Sequence, residues 1–256
     1  MRIVTCLTAT TFMVAAPLVA QDFRWHGPLA SGKTLEVRGI NGGIRVARAA
    51  GKEAEVTATK RARKSDPGSV EIKVVEDAGG VLICAVYPGR RGRADNDCRR
   101  GGNGRDTEDN DVEVTFEVKL PEGVEFDGST VNGDIIARDL SGDAAVSTVN
   151  GDVEVETGGV AKASTVNGSI RASLGRADWK GALRFTTVNG GITVRLPGSF
   201  TADVEATTVN GSVESDFPIT VRGRMNPRSL RGRIGEGGRD LDLTTVNGSI
   251  RLLKGG

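Results

Sequence analysis

The 256-residue sequence predicts an all-β protein whose main part is a β-solenoid (β-helix-like), wound in coils of about 17–22 residues. Three observations carry this expectation. A hexapeptide of the form TVNGx(I/V) occurs six times. Apolar residues alternate with period two on both sides of each copy. Glycine is abundant, at 36 residues, while aromatics make up only 4%. Glycine-rich segments full of Val, Ile and Thr do not form long helices; they form short strands between turns.

The elements follow in chain order. Residues 1–20, "MRIVTCLTATTFMVAAPLVA", place Arg2 before an uncharged apolar run and end in small residues. This is the pattern of a secretory signal peptide cleaved after Ala20 and too short to span a membrane. The alternative is a buried N-terminal segment. No later stretch approaches the ~18 apolar residues a transmembrane helix needs, so no membrane insertion is expected after leader removal. With Cys6 in the leader, Cys84 and Cys98 remain. An even pair in an exported chain reads as a disulfide, closing about 15 residues at roughly 3 kcal/mol of loop entropy. Free or metal-binding thiols are the other reading.

Residues 21–123 read as an irregular N-terminal β region with a disulfide loop, contiguous with the solenoid. A diverged copy, "GINGGI", lies at 39–44; "EAEVTATKR", "SVEIKVVE", "GVLICAVYP" and "DVEVTFEVKLP" follow as strands. The charged loop 89–111 separates the last two.

Residues 124–256 read as the solenoid repeats. The asparagine–glycine pairs are Asn132–Gly133, Asn150–Gly151, Asn167–Gly168, Asn189–Gly190, Asn210–Gly211 and Asn247–Gly248, preceded by Asn41 in the diverged copy. The intervals after Asn132 are 18, 17, 22, 21 and 37. Periods near twenty indicate stacked units, and the last interval leaves room for a degenerate copy in 216–239. Before each Asn stands Ile40, Val131, Val149, Val166, Val188, Val209 or Val246. Three residues after it stands Ile44, Ile135, Val153, Ile170, Ile192, Val213 or Ile250. Apolar columns also lie six and four residues before Asn, at even offsets, whereas the later columns are odd. A strand changes its inward parity only at a bulge or corner, so a bend is expected at the Ser/Thr–Thr pair and a second turn at Asn-Gly. Stacked copies then pair as ladders, asparagine on asparagine and threonine on threonine. A stack of antiparallel hairpins is the rival architecture.

Those columns, with the opening "LEVRGINGGIRV", resemble the bacterial "putative adhesin" family over residues 33–253. The resemblance implies an exported β-helix-like domain of unknown function, at the cell surface or in the periplasm, and brings no catalytic residues.

Chemistry is sparsely encoded. Lys and Arg total 34 against 33 Asp and Glu, which gives no reason to expect nucleic acid as a partner. His26 is the single histidine and reads as an N-terminal surface or packing residue, which excludes Ser-His-Asp catalysis and histidine zinc sites. Asp95, Asp97, Asp106, Glu108, Asp109 and Asp111 read as a solvated loop balanced by arginines, with divalent-cation binding the alternative. Glu154 is expected to pair with Arg171 one coil on. No cofactor and no metal is expected.

Three functions follow. The first is a non-catalytic binding or adhesion module of the cell envelope, with an envelope component or glycan as partner. The second is a self-associating scaffold, using an uncovered C-terminal edge. The third is a β-helix carbohydrate-active enzyme using Glu154, Glu156, Glu205 or Glu214.

Overall fold

The structure is a computed structural model and describes residues 19–89, 98–99, 110–221 and 227–255, with side chains from Phe23 onward. Most of the predicted leader and most of the loop 89–111, including Asp95, Asp97, Asp106, Glu108 and Asp109, lie outside the described residues.

The strands are β1 (Val19–Pro28), β2 (Thr34–Arg38), β3 (Ile44–Arg48), β4 (Glu53–Arg61), β5 (Glu71–Asp77), β6 (Gly80–Val86) and β7 (Glu113–Leu120). They continue as β8 (Glu125–Ser129), β9 (Ile135–Leu140), β10 (Ala144–Ser147), β11 (Val153–Thr157), β12 (Ala161–Ser164), β13 (Ile170–Leu174), β14 (Leu183–Thr186) and β15 (Ile192–Leu196). The last are β16 (Ala202–Asn210), β17 (Val213–Ser215), β18 (Ile219–Val221), β19 (Ser229–Ile234), β20 (Asp240–Asn247) and β21 (Ile250–Lys254). The helical content of the described residues is one 3-10 turn, Pro67–Ser69, and none of their helices is long and apolar enough to cross a membrane. The predicted cleavage point falls in β1, at a register shift between Ala20 and Phe23.

The fold is an all-β solenoid of two facing sheets. One runs β1-β4-β7-β3-β9-β11-β13-β15-β21-β17, the other β18-β19-β16-β20-β14-β12-β10-β8-β2-β6-β5. Each coil places one strand in each sheet, joined at the Asn-Gly corner, and successive coils pair in parallel register, as in Ala144↔Ala161 and Val153↔Ile170. The asparagines stack in the order 41, 132, 150, 167, 189, 247 and 210. The chain therefore winds as a spring, not as separate hairpins.

Between the sheets lies one continuous core. Coil β12–β13 contributes Ala161, Ala163, Ile170, Ala172 and Leu174, all buried. At roughly 1.5–3 kcal/mol per large side chain, that set does not offset ~1–2 kcal/mol of backbone entropy for each of its residues; neighbouring coils complete the core and the hydrogen bonds. Sizes compensate along the stack. Gly128 lies under the Phe126 ring, where a β-carbon would come within 2.6 Å of it.

The structure corrects three expectations. First, the inward parity does not change at the Ser/Thr–Thr pair. Ala144, Val146 and Thr148 are all buried, so the even-offset face runs on through the threonine. The switch falls at Val-Asn-Gly, and the valine faces outward. Second, the described residues of 216–239 form no hidden coil. β19 pairs antiparallel with β16, and β18 pairs antiparallel with β19, extending one sheet. Third, the last strand of the sequence is not an uncovered edge. β21 lies between β15 and β17, and β20 between β14 and β16, because their backbones complete the ladder from Asn189 to Asn210. Within the N-terminal β region, β6 and β7 form the two halves of a further coil, parallel to β2 and β3. Its corner is replaced by the long charged loop.

Candidate functional site

The corner is the most regular surface of the molecule, and three side-chain columns build it. The asparagine amides form a continuous ladder. Asn132 Nδ2 donates to Asn41 Oδ1 at 2.8 Å, Asn150 to Asn132 at 2.8 Å, Asn167 to Asn150 at 2.7 Å and Asn189 to Asn167 at 2.8 Å. Asn247 then donates to Asn189 at 2.7 Å and Asn210 to Asn247 at 2.7 Å. At the first rung Asn41 Nδ2 donates to the Asn110 carbonyl at 3.3 Å.

The threonines do not pair with each other as expected. Each buried hydroxyl donates to the glycine carbonyl of the neighbouring coil: Thr148 to Gly133 at 2.9 Å, Thr165 to Gly151 at 3.0 Å, Thr187 to Gly168 at 2.8 Å, Thr245 to Gly190 at 2.8 Å and Thr208 to Gly248 at 2.8 Å. The geometry also explains the glycine. A β-carbon on Gly133, Gly151, Gly168, Gly190, Gly248 or Gly211 would collide with the carbonyl of the stacked glycine. Thr, Asn and Gly are thus one device. The backbone packs close, its carbonyl takes the hydroxyl, and the amide bridges the coils outside.

Outward from this frame lie two columns that the sequence reading missed as a surface. Ser129, Ser147, Ser164, Thr186, Thr244 and Thr207 stand in register on the outer face of one sheet. Beside them, Val149, Val166, Val188 and Val209 are 38%, 39%, 37% and 52% exposed. The signal was available, since a hydroxyl residue stands three before each of these asparagines. Valines exposed in four coils of the stack are not explained by core packing.

Charged side chains flank the corner and are mostly tied across coils. Glu154 faces Arg171 in register, but its ion pair is with Arg138, Nε to Oε1 at 2.7 Å; Arg171 approaches Asp152 instead, at 3.8 Å. The hydrogen bond from Arg138 holds the Glu154 carboxyl below the usual carboxylate range. Glu214 pairs with Arg251 at 3.2 Å, and Glu205 with Arg231. The outer face of the second sheet carries a cleft of 540 Å³, lined by Asp143, Lys162, Arg176, Asp178 and Trp179 among others. Arg176 is held there by Asp143 at 3.0 Å and Asp178 at 3.2 Å, and the Trp179 indole N–H donates to the Asp240 carbonyl at 3.0 Å.

The stapled loop meets the solenoid at its first coil. Cys84 and Cys98 are bonded, with Sγ–Sγ 2.11 Å. Cys98 packs on Leu82, Cys84 and Val86 outside the sheet, and Arg38 donates to the Arg99 carbonyl at 2.8 Å. Tyr87 is buried and its hydroxyl donates to the Val112 carbonyl at 2.9 Å; burial pushes its pKa above the ordinary phenol value. Asp111 is spent on structure. Its carboxylate accepts the backbone N–H groups of Ser65 at 2.8 Å, Lys64 at 3.0 Å and Arg63 at 3.2 Å. These bonds, Ser65's first, hold its pKa down at about 2. His26 lies on β1, exposed, with Nδ1 4.0 Å from Glu53. Among the described residues no group of three or more His, Cys, Asp or Glu is arranged to hold a metal.

Residues 33–253 match the Toastrack DUF4097 family, in agreement with the resemblance carried by the repeated TVNG columns. No curated protein matches the chain. Among solved structures, the chain is similar to a putative cell adhesion protein from Clostridium sporogenes, at 14% identity and a TM-score of 0.48, over 92% of this chain and 100% of that one. It is also similar to a putative adhesin from Bacteroides fragilis, at 9% identity and a TM-score of 0.36, over 91% of this chain and 97% of that one.

Proposed function

Since this chain belongs to the Toastrack family, we propose that it is an exported, non-catalytic, adhesin-like binding module of the bacterial cell envelope. The observation that carries this reading is the corner lattice, with hydroxyl, valine and asparagine columns repeating coil after coil at the ~4.8 Å strand spacing. A rigid row of identical groups suits a ligand that is itself extended and repetitive. Each further register of contact then acts at high effective concentration. A glycan of the envelope has that character, with hydroxyls for the Ser/Thr and Asn columns and apolar ring faces for the valines. The pairing of Glu154, Glu205 and Glu214 with arginines favours binding over glycoside hydrolysis, which needs one carboxyl kept protonated as an acid.

The test is saturable binding of the leader-free protein to envelope fractions and to a broad glycan array, repeated with Val166→Glu plus Val188→Glu. The expected result is binding without turnover, weakened at least about tenfold in the double variant with its melting temperature unchanged. If the unaltered protein binds neither material, or the double variant binds equally well, the reading fails.

A further inference from the structure

The last coil of the sequence occupies a slot whose two walls both precede it in the chain. One wall is β14–β15, with Leu183↔Leu241, Phe185↔Leu243 and Ile192↔Ile250 in register. The other is β16–β17, with Thr208↔Thr245, Asn210↔Asn247 and Val213↔Ile250. The filler takes part in both ladders on both sides. Asn247 donates to Asn189 and accepts from Asn210, each at 2.7 Å. Thr245 donates to Gly190 and the Gly248 carbonyl accepts from Thr208, each at 2.8 Å. None of these contacts depends on the filler being covalently joined to its own walls.

The join itself is a short glycine-rich connection. β19 and β20 flank β16 on opposite sides, so residues 235–239 must carry the chain across the end of β16. Gly235, Gly237 and Gly238 do so at φ values of 57°, 74° and 93°, a region that glycine enters freely and other residues do not. The Gly238 N–H donates to Asp203 at 2.8 Å and the Gly237 N–H to the Ile234 carbonyl at 3.2 Å.

We propose that the slot also accepts the last coil of a second copy of this chain, so that two molecules exchange residues 240–254 about the 235–239 hinge. Exchange keeps every ladder bond and every core contact, because the incoming coil has the same sequence as the one it replaces. Concentration and the conformation of the hinge then set the balance between closed monomer and exchanged dimer.

The test uses the leader-free chain, which lacks Cys6. In the closed molecule Ser212 Oγ and Ser249 Oγ are 3.3 Å apart, on adjacent coils of different origin. Ser212→Cys and Ser249→Cys are made separately, mixed in equal amounts, unfolded in denaturant without reductant, refolded together and oxidised. Exchange is expected to give a disulfide-linked heterodimer whose yield rises with protein concentration during refolding, and none when either variant refolds alone. The double variant refolded in dilute solution is expected to form the same bond internally. Gly237→Pro plus Gly238→Pro, which cannot hold positive φ, should raise the dimer fraction several-fold in sedimentation. Should the proline variant fail to fold, the cysteine mixture still decides. An absence of heterodimer at every concentration, while the double variant closes its internal bond, overturns the proposal; failure of that internal bond overturns the slot geometry on which it rests.

Discussion

Replacing Gly168 by alanine adds a single methyl group at the most crowded point of the corner. The new β-carbon would lie on the carbonyl of Gly151 and close to the Asp152 nitrogen. The coil cannot drift away to make room, because β11 and β13 are paired on one side of it and β10 and β12 on the other. Relief comes only by displacing the corner. That gives up the Thr165 bond to Gly151 at 3.0 Å and the Asn167 bond to Asn150 at 2.7 Å. Overpacking of this kind costs about 1–3 kcal/mol, and each lost hydrogen bond about 1 kcal/mol. The expected destabilisation is therefore about 3–5 kcal/mol. Gly198→Ala supplies the control, because no atom lies within 4 Å of its added carbon. The lower entropy of its unfolded chain should stabilise the protein by about 0.4–1 kcal/mol. Urea unfolding followed by circular dichroism should show a lowered midpoint for Gly168→Ala at an unchanged slope. Equal midpoints for the two variants would refute the close-packed glycine column.

Three further outcomes are expected. Asn167→Ala deletes one ladder bond on each side, to Asn150 and from Asn189, and should cost about 1–2 kcal/mol in the same unfolding assay; a neutral result would mean that water replaces the amides fully. Cys98→Ser opens a loop with a sequence separation of 14 and should cost about 3 kcal/mol by loop entropy, with reductant lowering wild-type stability to match. Asp111 has a folded pKa near 2 against an ordinary 3.8, so its contribution is complete above pH 3.8 and is lost as pH falls towards 2. Protection factors of the Arg63, Lys64 and Ser65 amides, corrected for intrinsic exchange, should fall across that window in the wild type, whereas Asp111→Ala should show low protection at all pH values.

Much of the coil was legible because a strand writes its burial with period two. The columns six and four before Asn, and three and five after, land on buried residues such as Leu183, Phe185, Ile192 and Val194. Other features were not local and could not be read that way. Glu154 is as close in sequence logic to Arg171 as to Arg138, and only side-chain direction chooses between them. Stacking order is also invisible to a repeat alignment. Asn247 follows Asn210 in the chain, yet it stacks on Asn189, because six nearly identical corners fit one another equally well and the β18–β19 excursion decides which meet. The coil β6–β7 was hidden for the opposite reason. The connection between its strands lacks the TVNG hexapeptide, and Tyr87 and Asn110 perform the bonding that a repeat would have supplied.

The asparagine ladder also has a direction. All of its amide bonds point the same way, from the Asn210 end towards Asn41, so the carboxamide dipoles add rather than cancel and polarise one another. The column terminates as a hydrogen-bond donor at one end and as an open acceptor oxygen at the other. The corner thereby has its own polarity along the stack, carried by amides that do not titrate.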